Sequence, residues 1–173
     1  MRRVLVAYAS RYGSTAEVAR EIASVLTGAG LSVDVMPVEQ ARDLSPYEAI
    51  VLGTAVRMEK PLKATLTFAT EHRRELGRRP LALFSLGAHM RTDTPENRDR
   101  TRQHLAPLLA ALPRPILMGF FGGKVDYGRI GLFWRFIAGR DKSGEMEEGD
   151  WRDWEAIRGW ASELVPLLAA GRA

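Results

Sequence analysis

The chain has no cysteine, which excludes disulfides, thiolate-bound zinc, iron–sulfur clusters and thiol catalysis. Long hydrophobic runs are also missing: none approaches the ~20 apolar residues of a membrane-spanning helix. Aromatic residues are sparse at 8% and histidines number three. Neither a G-K-[ST] phosphate loop nor a G-x-G-x-x-G fingerprint occurs, which speaks against nucleoside triphosphates and dinucleotides. No repeat period emerges, and 16 glycines with nine prolines are too few for a low-complexity chain. The apolar stretch Val4–Tyr8 is cut off by Ser10-Arg11-Tyr12-Gly13, too early for a signal peptide, so a soluble cytoplasmic protein is expected.

What is present describes an ordinary globular chain of 173 residues, 46% hydrophobic and 27% charged. At about 150 residues per domain that is one domain. Twenty-five basic residues face 21 acidic ones, and the pI is near 9.8. This basic balance fits either plain solubility or an anionic partner such as a membrane surface or a phosphate-bearing cofactor. With few aromatics and no recognisable motif, nucleic acid is not expected.

Along the chain, short apolar β-type runs alternate with helical patterns. Val4–Ala9 is the first strand. Ala16, Ala19, Ile22, Ala23 and Leu26 then form one helical stripe, with Ser14 and Glu17 at capping-box spacing and Gly28 and Gly30 as stop signals. Leu31, Val33 and Val35 alternate with polar neighbours, as an edge strand does. A short, partly helical connection is expected over 39–47. Ala49–Gly53, Leu81–Ser85 and Ile116–Phe120 are buried-type strands. A helix opens at Pro61, another runs from Thr94-Pro95 to about Leu112, and a last one carries Trp154, Ile157, Ala161, Leu164 and Leu168. Such alternation predicts an α/β fold: a doubly wound, five-stranded parallel sheet with helices on both faces. Ligands of such sheets bind beyond the carboxyl ends of the strands, at the topological switch point.

Three segments occupy that rim. In Ser10-Arg11-Tyr12-Gly13-Ser14-Thr15 the first strand hands over to the first helix, whose leading N–H groups and dipole favour a phosphate. Hydroxyls of Ser10, Ser14 and Thr15 add donors, and Gly13 admits close approach. An ordinary helix cap would look the same on this segment alone. The second segment is Thr54-Ala55-Val56-Arg57-Met58 and the third Ser85-Leu86-Gly87, continuing to His89 and Met90. Both are expected as loops able to close over a flat ring.

The phosphate-loop pattern, followed by Asp43-Leu44-Ser45-Pro46-Tyr47-Glu48-Ala49-Ile50-Val51-Leu52-Gly53-Thr54, resembles flavodoxin. Further along, Arg91–Asn97, Gly122–Tyr127 and Gly149–Trp154 are similar to the flavodoxin-domain proteins related to bacterial menaquinone-dependent protoporphyrinogen oxidase. The resemblance spans essentially the whole chain and implies FMN as cofactor. Carried over by position, Ser10, Gly13, Ser14 and Thr15 hold the phosphate, lined by Arg11 and Tyr12. Thr54, Ala55, Val56, Arg57 and Met58 then flank the flavin ring on one side, and Ser85, Leu86 and Gly87 on the other. The chain departs from the flavodoxin pattern in having Tyr12 where Thr is common, and in lacking aromatic residues in both ring segments.

Residues 122–149 form an insertion before the last helix. Phe133, Trp134 and Phe136 lie there among Lys124, Arg129, Arg135, Arg140 and Lys142, a composition that suits a membrane interface; a core-covering lid or a dimer contact fits it equally. Trp151, Trp154 and Trp160 are expected to pack at the last helix, and His72 and His104 to be solvated.

Two functions are implied. One is an FMN-dependent oxidoreductase passing electrons from a reduced organic substrate, such as protoporphyrinogen IX, to a quinone. The other is a flavodoxin-type electron carrier serving a redox protein partner, although carriers of that family are typically acidic. A domain that binds no flavin is a third reading.

Overall fold

The computed structural model describes residues 2–126, 128 and 148–169. Five parallel strands carry the fold: β1 (Arg3–Tyr8), β2 (Ser32–Pro37), β3 (Ala49–Arg57), β5 (Leu81–Gly87) and β6 (Leu117–Gly122). They lie in the order β2-β1-β3-β5-β6, with the two-residue β4 (Lys60–Pro61) paired antiparallel to the end of β3. β1 therefore has β2 on one side and β3 on the other. The chain reverses its winding direction there, which makes the carboxyl end of β1 the switch point. The doubly wound parallel sheet expected from the sequence is thus observed, with β2 at an edge.

Side-chain alternation splits the core in two. Val4, Val6, Ala49, Val51, Ala82 and Phe84 face α1 (Ser14–Gly28) and the C-terminal helix Trp154–Ala169, meeting Val18, Ile22, Leu26, Ile157, Trp160 and Leu164. Leu5, Ala7, Ile50, Leu52, Leu81 and Leu83 face the opposite way, onto Phe68 of α2 (Lys63–Glu71), Leu76 of α3 (Arg73–Leu76), Leu105, and Leu108 of α5 (Ala106–Ala111). Strands buried on both faces need these near-continuous apolar runs. The sheet also fits tightly: a Cβ on Gly53 would land 2.2 Å from the Phe84 ring.

Several boundaries differ from expectation. Residues 38–48 contain turns and no helix; Asp43 caps the Ser45 N–H at 2.8 Å there instead. Pro61 belongs to β4, and α2 begins two residues later. The helix expected over 95–112 is two, α4 (Pro95–His104) and α5, because Pro107 in the first turn of α5 has no N–H to continue the ladder. The start of α4 is as expected, with the Thr94 hydroxyl accepting from the Asn97 N–H at 3.1 Å. The C-terminal helix is capped by Asp153, whose carboxylate accepts from the Ala156 N–H at 2.9 Å.

Of the insertion, the two ends are described. β7 (Lys124–Val125) and β8 (Gly149–Asp150) pair antiparallel. Phe133, Trp134, Phe136, Arg129, Arg135, Arg140 and Lys142 lie outside the described residues. No helix among the described residues is long and apolar enough to cross a membrane.

Candidate functional site

The loop between β1 and α1 stands at the switch point. Gly13 takes φ +95°, a left-handed conformation that a side chain disfavours. That twist turns the chain into α1, whose first intrahelical bond runs from the Glu17 N–H to the Gly13 carbonyl at 3.0 Å. The N–H groups of Ser14, Thr15 and Ala16 precede that bond and form the positive end of the helix. Ser10 accepts from the Gly13 N–H at 3.0 Å, which folds the loop back on itself and leaves the Ser10 O–H as a donor. The capping box expected from Ser14 and Glu17 is not formed: Gly13 occupies the cap position and no side chain caps the helix. Ser14 is instead the first helical residue, and half-buried.

Thr15 carries the most informative atom of the loop. Its side chain is 1% exposed, and Oγ1 has no hydrogen-bond partner within the protein. Buried hydroxyls are nearly always satisfied, so an unmet donor beside three helix-start N–H groups fits a phosphate oxygen. Donor set, loop conformation and dipole therefore agree with a phosphomonoester such as that of FMN.

Glu17, in the same first turn, would oppose an anion were it not neutralised. Arg152, with a side chain only 5% exposed, reaches it at 2.5 Å and also binds Asp150 at 2.6 Å. The guanidinium hydrogen bond holds the Asp150 carboxyl below its ordinary value, while the same partner holds Arg152 above its own. Arg152 also lies 4.7 Å above the Trp154 ring. Sequence reading missed this residue; the acidic Glu17 at a phosphate loop was the one hint that a cation had to be near.

The two expected ring loops are not loops. Thr54, Ala55, Val56 and Arg57 are the last four residues of β3, and Ser85, Leu86 and Gly87 end β5. The strands run on because Thr54 and Ala55 stay in register with Ser85 and Leu86. Thr54 is fully buried, its hydroxyl 2.9 Å from that of Thr65. Ser85 and Leu86 are likewise enclosed by protein, and the buried Ser85 hydroxyl, like that of Thr15, has no hydrogen-bond partner within it. Met58 and Glu59 form a two-residue hairpin turn with φ +47° and +61°, and Met58 is 78% exposed. Arg57 reaches back to the phosphate loop: its guanidinium donates to the Tyr12 hydroxyl at 3.3 Å and sits 4.9 Å over the Tyr12 ring. Arg11 lies on the same ring at 6.0 Å. The structure thus joins the first and second segments through Tyr12.

Beyond β5 comes a 3-10 turn, Ala88–Arg91. His104 is not solvated as expected: its side chain is 12% exposed and its ring lies 5.0 Å from that of His89. His72 is also covered, at 14%, against Phe68 and Glu75. Trp160 packs in the core on Phe84 and Phe121, whereas Trp151 lies under Arg91, 3.7 Å away, ahead of the helix.

Similarity to known proteins agrees with this geometry. A family profile described as Flavodoxin domain matches residues 5–148. The protoporphyrinogen IX dehydrogenase [quinone] of Escherichia coli K12 is 26% identical, over 95% of this chain and 96% of its own. That of Leishmania major is 27% identical, over 97% of this chain and 77% of its own. Among solved structures, flavodoxin 1 of Bacillus cereus superimposes with a TM-score of 0.60 at 16% identity, covering 95% of this chain and 97% of that one. A WrbA-like flavodoxin from Agrobacterium tumefaciens gives 0.60 at 14%, covering 99% and 100%. With a glycine-turned helix start at the switch point of a parallel sheet ordered β2-β1-β3-β5-β6 and a profile match over most of its length, the chain belongs to the flavodoxin-domain family, whose cofactor is FMN.

Proposed function

We propose that this chain is an FMN-dependent oxidoreductase that takes electrons from protoporphyrinogen IX or a closely similar reduced tetrapyrrole and delivers them to a quinone. The full-length similarity to two protoporphyrinogen IX dehydrogenases supports the substrate class, and the buried, unmet Thr15 hydroxyl supports the cofactor. FMN, when bound, supplies the redox chemistry. The protein supplies grip, orientation and exclusion of water.

In this reading Ser10, Gly13, Ser14 and Thr15 hold the phosphate, and Arg152 keeps Glu17 from repelling it. Tyr12, Arg57 and Met58 supply side chains near the ring, while Thr54, Ala55, Val56, Ser85, Leu86 and Gly87 supply strand-end backbone. The insertion 122–149, with Phe133, Trp134 and Phe136, is proposed as a contact to the membrane surface where a lipid-soluble quinone resides.

Anaerobically reduced protein mixed with a menaquinone analogue should reoxidise rapidly, and protoporphyrinogen IX should be converted to its fluorescent product. Reduced protein that is inert to quinone yet passes electrons to a protein partner would establish a carrier instead.

A further inference from the structure

Glu59, His89 and His104 come from three elements that the chain reaches separately: the β3–β4 turn, the 3-10 turn after β5, and the end of α4. One ligand atom from each, a ring nitrogen of either histidine and a carboxylate oxygen of Glu59, lies within 4.8 Å of the other two. His104 Nε2 stands 3.9 Å from a Glu59 carboxylate oxygen, and the two imidazoles are inclined at 55°, so their rings do not lie flat on each other. We propose that Glu59, His89 and His104 form a binding site for a borderline divalent transition-metal ion of the Zn2+ type.

The donor set selects the metal. Two imidazoles and one carboxylate suit Zn2+ and its first-row neighbours, whereas Mg2+ and Ca2+ demand mostly oxygen. Three protein ligands would leave a fourth position for water. In a tetrahedron with bonds of about 2.1 Å, ligand atoms stand about 3.4 Å apart, so the group must contract modestly. The histidines are partly buried, their ring centroids 5.0 Å apart. Glu59 provides the adjustment, because its side chain is 67% exposed on a tight turn that fixes only its backbone.

A bound ion would tie the hairpin tip to the 3-10 turn and to α4, cross-linking the ends of β3 and β5 at the rim of the sheet. This goes beyond the redox reading and does not depend on it, since the three ligands are separate from the phosphate loop.

The test is calorimetric titration of Zn2+ into chelator-treated, FMN-loaded protein, with thermal melts with and without Zn2+, repeated after FMN is stripped. Wild type should bind one ion per chain and melt at a higher temperature with Zn2+, with or without FMN. Loss of groups that merely support a ligand costs about 10- to 100-fold in affinity, so His89→Ala, His104→Ala and Glu59→Gln should each weaken binding at least tenfold and abolish the thermal shift. Glu59→Gln, on an exposed turn, keeps the fold intact and guards against a trivial loss. Absence of Zn2+ binding to wild type, or binding that survives Glu59→Gln combined with His89→Ala, overturns the proposal.

Discussion

Replacing Thr15 with valine should move cofactor affinity and protein stability in opposite directions. Valine keeps the β-branched shape and exchanges one hydroxyl for a methyl. Within the protein that hydroxyl is buried without a partner, a condition that costs about 1–3 kcal/mol where no ligand meets it. Thr15→Val removes the cost, so the apo-protein should unfold at equal or higher urea concentration. In the proposed FMN complex the same hydroxyl donates to a phosphate, and a hydrogen bond to a charged group is worth about 1.5–3 kcal/mol. At 1.4 kcal/mol per decade, the dissociation constant should rise about 12- to 140-fold. Quenching of FMN fluorescence measures the affinity, and urea unfolding of the apo-protein measures the stability. An affinity within about twofold of wild type, or an apo-protein destabilised by more than about 1 kcal/mol, would show that Thr15 satisfies the protein rather than the cofactor.

Arg152→Ala strips the cation from Glu17; with the acidic partners a third or more exposed the loss in urea unfolding should be about 1–3 kcal/mol. FMN affinity should fall too, and adding Glu17→Gln should restore it; failure of that rescue would refute the neutralising role. Gly53→Ala drives a methyl into the Phe84 ring and should cost about 1–3 kcal/mol, recovered in part by Phe84→Leu; an unchanged midpoint would count against the packing. Asp150 and Asp93 are held below 3.8 chiefly by hydrogen bonds from Arg152 and Arg98. A carboxyl whose pKa is depressed by folding stabilises above its unfolded pKa and loses that contribution as pH falls through the folded one. Melting temperature should therefore drop below about pH 4, and Asp150→Asn should flatten the drop. Co-sedimentation with anionic vesicles should be weaker for Trp134→Glu than for wild type, and absence of binding by both sinks the membrane contact.

Much of this architecture was legible in the sequence, because strands buried on both faces have to be continuous apolar runs. Val4–Ala7, Ala49–Leu52 and Leu81–Phe84 stand out for that reason, and the alternation of Val33 and Val35 marks the edge. Strand ends were harder. β3 runs four residues past Gly53 because its partner β5 stays in register, and its turn uses Met58 and Glu59 without the glycine that usually announces a hairpin. At the phosphate loop the residue types were readable, yet Gly13 rather than Ser14 takes the cap, a distinction that depends on one φ angle. Arg152 and Glu17 are separated by 135 residues, and the histidine–glutamate group joins three distant segments. No local pattern encodes such encounters; they follow from topology.

The short ribbon of Lys124–Val125 against Gly149–Asp150 acts as a clasp at the neck of everything strung between its two rungs. Because the rungs and the Trp151 N–H to Gly123 carbonyl bond at 3.1 Å bring both ends together, whatever is spliced in or cut away beyond them leaves the spacing between β6 and the final helix unaltered. Such a neck fixes both the point at which the chain leaves β6 and the point at which it returns toward the final helix.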